Sequence, residues 1–256
     1  MSAPMRRARS GLLVPFAVLA AIVAAGSAAR ARPVVDRSQP LGESVQSRTI
    51  RAFERGDPSA PIRILVVGCV HGDEDSGVPV ARRLLRGPAP SGVDLWIVPV
   101  LNPDGRAAGT RGNAHGVDLN RNFPFDWEPL PRGRYYAGPR ALSEPESLIA
   151  RDLILRLRPD ITVWFHQPFG VVDLTGGDPA IERRYARLVG MHVDHVGDKP
   201  GSIARWQNHR FEDDTAFVVE LPRQRLSPAD VRTFADAVLR LAGPQRRARP
   251  DVVAGS

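Results

Sequence analysis

Short runs of branched aliphatic residues alternate along the chain with amphipathic stretches, and this alternation predicts an α/β fold. Strands are predicted in "RTIRAF", "PIRILVVGCV", "VDLWIVPV", "DITVWFHQP" and "TAFVVELP". Helices are predicted in "GVPVARRLLRG", "SEPESLIARDLILRLR", "DPAIERRYARLVG" and "SPADVRTFADAVLRLAG", which have helical spacing or capping residues. We therefore expect a single α/β domain with a mostly parallel mixed β-sheet between two layers of helices.

The residues between these runs predict where the elements begin and end. "ERGDPSA" is a turn signal between "RTIRAF" and "PIRILVVGCV", so we expect these two strands to pair. Ser143 followed by Glu146 has the spacing of a capping box and predicts a helix start. Residues 105–140 have no helical period and many Gly, Asn and Pro, which predicts an irregular loop. A loop of this length in a compact domain is usually functional or disordered.

The two ends of the chain differ from its middle. "MRRARS" is basic, "GLLVPFAVLAAIVAAG" is apolar and "SAARA" offers small residues, which together predict a cleaved secretory signal peptide over residues 1–31. The alternative is a retained membrane anchor, because residues 11–29 carry no charge and just reach spanning length. We expect a linker over residues 32–47, the folded domain over 48–243 and a disordered tail over 244–256. The predicted signal peptide indicates a location outside the cytoplasm, secreted or extracytoplasmic in the periplasm or cell wall.

Charge and cysteine content narrow the classes of partner. The formal charge of the 256 residues is +7, and it falls to +3 when the four arginines of the predicted signal peptide are removed. Of the 35 basic residues all but Lys199 are arginine, and no basic stripe with interleaved aromatics is present, so nucleic-acid binding is not expected. Cys69 is the only cysteine, so no disulfide can form within the chain. An exported chain then needs core packing or a metal for its stability.

Four chemically active side chains follow the predicted strands. His71 and Glu74 come after "IRILVV", His166 follows "DITVWF" and Glu220 follows "TAFVV". The carboxyl ends of parallel strands meet at one edge of the sheet, where sites form. Two histidines and one carboxylate suit a catalytic zinc, which leaves Glu220 as a general base. Alone, His166 could be a structural histidine and "HGDEDS" a solvated acidic loop. Three other histidines lie in polar contexts and are expected at the surface: His192, His195 and His209.

The predicted loop contributes "TRGNAHGVDLNRNFP", with two arginines that could bind a carboxylate or an oxyanion. A glycine-rich surface loop with solvated charges is the alternative for Arg111 and Arg121 taken alone. The motifs "HGDE", "LNPDG", "GVDLNRNF", "WFHQP" and "FVVELP", in this order, resemble those of the zinc carboxypeptidase family, the carboxypeptidase A-like metallopeptidases. The resemblance extends over about residues 42–240.

The resemblance implies one Zn²⁺ and a role for each matching residue. His71, Glu74 and His166 match the zinc ligands. Glu220 matches the glutamate that activates water at the metal, and Arg111 matches the arginine that, with zinc, stabilises the oxyanion. The "HVDHVGDKPGSI" segment lacks the tyrosine that pancreatic-type members carry there.

Asn120 and Arg121 match the pair that binds the substrate's terminal carboxylate. Within the family, "TRGNAHGVDLNRNFP", "YYAGPRALSEPES" and "PGSIARW" are most similar to the murein peptide amidase branch, which implies a murein-derived peptide substrate cut at the γ-D-glutamyl–diaminopimelate bond. A general carboxypeptidase, a zinc deacylase of the desuccinylase/aspartoacylase type and a non-enzymatic wall-binding module are the alternatives. Contact with a membrane is expected only through the N-terminal segment, if it is not cleaved.

Overall fold

The computed structural model describes residues 34–243, so the predicted signal peptide and the predicted C-terminal tail lie outside the described residues. The strands are β1 (Val35–Glu43), β2 (Thr49–Gly56), β3 (Arg63–Val67), β4 (Asp94–Val98), β5 (Ile161–His166), β6 (Phe169–Asp173), β7 (His192–Asp194) and β8 (Thr215–Pro222). The helices are α1 (Gly77–Arg86), α2 (Pro103–Ala108), α3 (Pro145–Leu157), α4 (Pro179–Val189), α5 (Ile203–Arg210) and α6 (Pro228–Leu241), with a 3₁₀ turn at Leu119–Arg121. Within residues 34–243, no helix is both long and apolar enough to cross a membrane.

All eight strands form one mixed sheet in the order β1-β2-β4-β3-β5-β8-β6-β7. The central strands β4, β3, β5 and β8 are parallel, whereas β1, β2 and β6 pair antiparallel with their inner neighbours. The carboxyl ends of four parallel strands therefore open onto the same edge. This mixed, centrally parallel sheet confirms the predicted fold class.

Alternating side chains of the central strands bury both faces of the sheet, as expected when successive residues point to opposite sides. Val66, Ile97 and Val163 pack against α1, α4 and α6 on one face. Leu65, Trp96 and Trp164 pack against α3 and α5 on the other face. The sheet is thus enclosed by two helical layers, and its strand ends are held between two independent halves of the core.

Two predictions about the N-terminal part are wrong. Residues 35–43 of the predicted linker form β1, which pairs along its length with β2. The sequence "VDRSQPLGE" hides this strand because an edge strand pairs through its backbone and needs no alternating apolar pattern. The strands β2 and β3 do not pair with each other, because β4 lies between them.

The predicted capping box at Ser143 is also wrong. The helix α3 begins at Pro145, and its N-cap Glu144 makes no side-chain cap. The Ser143 hydroxyl donates to Glu144, and the buried Glu146 carboxylate instead accepts from the Asn113 side chain at 2.9 Å and the Val45 N–H at 3.1 Å. The tertiary contacts of Glu146 thus override the local cap. In the predicted loop 105–140, α2 extends to Ala108 and the 3₁₀ turn adds a second regular piece.

Candidate active site

Three potential metal ligands converge at the carboxyl edge of the sheet. His71 and Glu74 lie in the turn after β3, and His166 is the last residue of β5. The Nδ1 atoms of the two histidines are 3.0 Å apart, and Glu74 Oε2 lies 2.8 Å from His71 Nδ1 and 3.0 Å from His166 Nδ1. Ligand atoms about 2.0–2.2 Å from a tetrahedral zinc are about 3.3 Å apart, so this triangle of two imidazoles and one carboxylate is close to the size that the ion needs.

The electrostatics of this group also favour a cation. Burial lowers the pKa of His166 to about 4, so its imidazole is neutral at pH 7. Burial alone would raise the pKa of the Glu74 carboxyl, but His71 and His166 hold it well below its usual range. For His71, burial opposes the charged form, yet Asp118 and Glu74 outweigh it and raise the pKa. The neutral His166 and the ionised Glu74 are the forms in which these residues ligate a metal.

Glycine at position 72 allows the turn between the first two ligands. A Cβ there would lie 1.9 Å from the backbone carbon of Gly105 in α2. The Gly72 N–H also donates to the Arg111 carbonyl at 3.3 Å. The ligand turn is therefore pressed against α2 and joined to the loop that carries the arginines.

Asp118 was not among the predicted site residues, yet it holds two of them in place. Its carboxylate is fully buried and accepts from His71 Nε2 at 2.9 Å and from Arg111 Nε at 2.8 Å. It also caps the 3₁₀ turn through the Asn120 N–H. A carboxylate behind a ligating histidine fixes the ring's tautomer and orientation. The sequence carried a signal for it, because Asp118 lies between Val117 and Leu119 much as Glu220 lies between Val219 and Leu221.

The structure places Arg111 beside the metal group. Its guanidinium donates to Glu74 Oε1 at 2.5 Å and to Asp118. These carboxylates outweigh burial and raise the pKa of Arg111. The ring of Tyr135, which the sequence did not single out, has its centroid 5.2 Å from the Arg111 guanidinium carbon. Arg111 is thus a fixed cation within reach of an oxygen bound near the ligands.

Asn120 and Arg121 lie side by side in the 3₁₀ turn and line the same cleft. The Asn120 Oδ1 atom accepts from the Ile203 N–H at 3.0 Å, which leaves its amide NH₂ as a donor toward the cleft. The Arg121 side chain is only 6% exposed, burial lowers its pKa, and it forms no ion pair with any described residue. A buried guanidinium without a carboxylate partner is costly unless a ligand supplies one.

Glu220 faces the ligands from the neighbouring strand. In the parallel register of β5 and β8, it is the Cα partner of His166. The side chain is 7% exposed, and its Oε2 atom is buried without a hydrogen-bond partner. Burial and the negative charge of Glu74 raise its pKa to about 7. A carboxyl group with this pKa can both accept and donate a proton near neutral pH.

The cleft that joins these groups has a volume of about 460 Å³. All seven predicted site residues line it: His71, Glu74, Arg111, Asn120, Arg121, His166 and Glu220. His192, His195 and His209 are exposed, as predicted, although His195 lies on the cleft wall. The cleft thus combines a metal-ligand group, a carboxyl of raised pKa and two fixed cations, a set suited to hydrolysis beside a carboxylate.

Comparison with known proteins gives matches to hydrolases of this kind. Residues 25–186 match the family model described as zinc carboxypeptidase. Murein peptide amidase A of Escherichia coli K12 is 36% identical over 160 residues, an alignment covering 56% of this chain and 64% of that protein, less than two thirds of its length. Murein peptide amidase A of Vibrio campbellii is 32% identical over 179 residues, covering 62% of this chain and 69% of that protein.

Solved structures share the fold. The murein-tripeptide amidase MpaA from Escherichia coli O157 has a TM-score of 0.69 at 26% identity, covering 82% of this chain and 93% of that one. The carboxypeptidase A of Helicoverpa armigera has a TM-score of 0.68 at 20% identity, covering 81% of this chain and 68% of that one. The latter similarity is one of fold.

Proposed function

Because the chain belongs to the zinc carboxypeptidase family, we propose that it is a zinc-dependent hydrolase that cuts a peptide or amide bond next to a free carboxylate. The observation that carries this proposal is the placement of Arg121, a buried guanidinium without an ion pair among residues 34–243, in the same cleft as the His71–Glu74–His166 group. A substrate carboxylate would satisfy that guanidinium and bring the neighbouring bond to the metal group. The amide of Asn120 supplies a second donor to the same carboxylate.

His71, Glu74 and His166 would hold the zinc, which supplies a Lewis acid that polarises the scissile carbonyl and acidifies water. Glu220 takes the proton from the attacking water and delivers it to the departing nitrogen, the two roles of a general base and a general acid. Arg111 stands ready for the negative charge that develops on the carbonyl oxygen.

We further propose that the substrate is a murein-derived peptide, cut at the γ-D-glutamyl–diaminopimelate bond. The relatives named murein peptide amidase support this substrate class. In the tripeptide L-Ala–γ-D-Glu–diaminopimelate, that bond lies next to a free carboxylate, which is the group that Asn120 and Arg121 are placed to bind.

The test is to incubate the zinc-loaded protein with this tripeptide and to identify the fragments by mass. We expect L-Ala–D-Glu and free diaminopimelate, and a large loss of kcat/KM when the diaminopimelate carboxylate beside the bond is amidated. Equal kcat/KM for the acid and the amide would contradict the carboxylate-binding role of Arg121. Cleavage of acyl-amino acids in place of peptides would favour the deacylase alternative.

We also propose that the enzyme acts outside the cytoplasm, on the wall or on peptides shed from it. The basic, apolar and small-residue regions of residues 1–31 support export. Fractionation of cells followed by N-terminal sequencing tests it. An exported protein that begins near Arg32 is expected, and a full-length protein found only in the cytoplasm would contradict the proposal.

A further inference from the structure

Lys199 is the only lysine in a chain whose other 34 basic residues are arginine, and it lines the active cleft. Its ammonium group donates to the carbonyls of Val196 at 3.1 Å and Gly197 at 3.4 Å. It forms no ion pair with any carboxylate of residues 34–243. Because an ammonium group has three donors, at least one remains for a ligand. Arg205, another cation of this cleft, is by contrast paired with Asp126 at 3.0 Å.

Asp173 is an acidic group in the same cleft. It is the last residue of β6, its side chain is 5% exposed, and burial raises the pKa of its carboxyl. Its Oδ1 atom accepts from the Val196 N–H at 2.8 Å. The other oxygen, Oδ2, has no hydrogen-bond partner within the described part of the chain. This oxygen is not one of the fully buried atoms, so it is open to the cleft and can accept from a ligand.

Lys199 and Asp173 are held by the same residue. The N–H of Val196 points to Asp173, and its carbonyl accepts from Lys199. The charges of both groups act on the pKa of Glu220, so both lie within electrostatic range of that carboxyl. They do not form an ion pair with each other at 4.0 Å or less. A negative and a positive group are therefore presented to the cleft side by side without neutralising each other through contact.

The loop that carries Lys199 is fixed to the residues that would bind the substrate carboxylate. Gly201 has a φ of +68°, and a Cβ there would lie 2.1 Å from the Arg121 carbonyl oxygen. The Gly201 carbonyl accepts from the Phe123 N–H at 3.0 Å, and the Ile203 N–H donates to Asn120. Backbone packing thus sets the distance between Lys199 and the two residues that would bind the substrate carboxylate, Asn120 and Arg121.

We propose that Asp173 and Lys199 form a subsite for the end of the leaving residue's side chain, in which Asp173 binds an ammonium and Lys199 binds a carboxylate. The inference rests on the proposed function, because it assumes that Asn120 and Arg121 bind the carboxylate next to the scissile bond. The leaving residue would then carry a second amino acid group at the end of its side chain. Diaminopimelate has this chemistry, whereas lysine supplies the ammonium alone.

The test uses four tripeptides L-Ala–γ-D-Glu–X on the zinc-loaded enzyme. X is meso-diaminopimelate with both side-chain charges, L-lysine with the ammonium, L-2-aminopimelate with the carboxylate, or L-norleucine with neither. Each charged hydrogen bond is worth about tenfold to a hundredfold in kcat/KM. We expect diaminopimelate to be used best, norleucine least, and the two singly charged residues in between.

The variants assign each charge to its partner. Asp173→Asn should reduce the ratios of kcat/KM for diaminopimelate over 2-aminopimelate and for lysine over norleucine. Lys199→Met should reduce the ratios for diaminopimelate over lysine and for 2-aminopimelate over norleucine. Asp198→Asn, which removes an exposed carboxylate next to Lys199, is the matched control and should leave all four ratios unchanged.

Three results would overturn the subsite. If the wild-type enzyme uses all four tripeptides equally, the subsite is wrong while the proposed hydrolase function stands. If either variant lowers kcat/KM for all four by the same factor, that residue has a general structural role. If the wild-type enzyme cleaves none of the four, the murein-peptide function is wrong and the subsite falls with it.

Discussion

Replacing Asp118 by asparagine should weaken zinc binding although Asp118 is not a ligand. The substitution keeps the shape of the side chain but removes the charge that accepts from His71 Nε2 and Arg111 Nε. An asparagine has only one acceptor oxygen, so at least one of these two donors meets an NH₂ group instead. Even if the remaining oxygen faces His71, a neutral amide accepts more weakly than a carboxylate, so the imidazole is held less firmly and becomes less basic.

The magnitude follows from comparable contacts behind metal ligands, whose loss costs about 10- to 100-fold in affinity. A free zinc concentration of 1,000 times the wild-type Kd stabilises the wild-type fold by about 4.1 kcal/mol. By the same relation, a variant with a 10- to 100-fold higher Kd gains only about 2.7 to 1.4 kcal/mol. The loss of the Arg111 contact adds a destabilisation that does not depend on zinc.

Two measurements separate these effects: competition with a fluorescent zinc chelator for Kd, and urea unfolding with and without zinc. Asp94→Asn is the matched control. Asp94 is also a buried carboxylate paired with an arginine, Arg63, but both residues begin their strands, at the edge of the sheet away from the site. We expect it to lower the free energy of unfolding without changing the zinc Kd. An Asp118→Asn variant whose Kd stays within about twofold of wild type would refute the reasoning.

Three further predictions concern Glu220, Glu182 and Gly72. Glu220→Gln should keep one zinc by elemental analysis and lower kcat by about 10²- to 10⁴-fold, and a variant within about threefold of wild-type kcat would exclude its proton-transfer role. Burial raises the pKa of Glu182 from 4.5 to about 7, so the folded state holds this proton more tightly than the unfolded state. The proton on Glu182 therefore stabilises the fold fully below about pH 4.5. As the pH rises to about 7, the free energy of unfolding falls by about 3 kcal/mol. Urea titrations from pH 4 to 8 should show this loss in the wild type relative to Glu182→Gln, and parallel curves would contradict it. Gly72→Ala should lower the free energy of unfolding by about 1–3 kcal/mol and weaken zinc binding, because the new Cβ meets the Gly105 backbone. Gly87→Ala, whose Cβ meets its nearest atom at 3.7 Å, should change neither, and equal effects would exclude steric crowding at position 72.

Continuous apolar runs explain why the central sheet and the ends of its strands could be predicted. The runs around β3, β5 and β8 are buried on both faces, so they read as continuous apolar segments. The carboxyl ends of these parallel strands must meet at one edge of the sheet. The sequence alone therefore predicted that His71, His166 and Glu220 lie near one another. The edge strand β1 carried no such pattern, since most of its side chains are not buried and it pairs through its backbone.

The rest of the site comes from the segments without a period. Asp118 and Tyr135 lie in residues 105–140, where the path of the chain depends on contacts such as the hydrogen bond from the Asp118 N–H to the Tyr136 carbonyl at 2.8 Å. No local pattern indicates that the Tyr135 ring lies over the guanidinium groups of both Arg111 and Arg121, at 5.2 and 5.5 Å from its centroid. Asp173 and Lys199 meet through Val196, and that contact joins parts of the chain about 20 residues apart, which no spacing rule foresees.

The register between β5 and β8 has a consequence for how this fold can change its specificity. Six consecutive backbone pairs, from Ile161 opposite Thr215 to His166 opposite Glu220, fix a metal ligand and the proton carrier relative to each other. The backbones of these two residues therefore change their spacing only if the sheet itself is deformed. The residues that would select the leaving side chain lie instead on the segment around Val196 and at the end of β6. Descendants of this protein could exchange that segment and accept a different residue while the bond-breaking apparatus stays intact, so selectivity and chemistry can evolve separately.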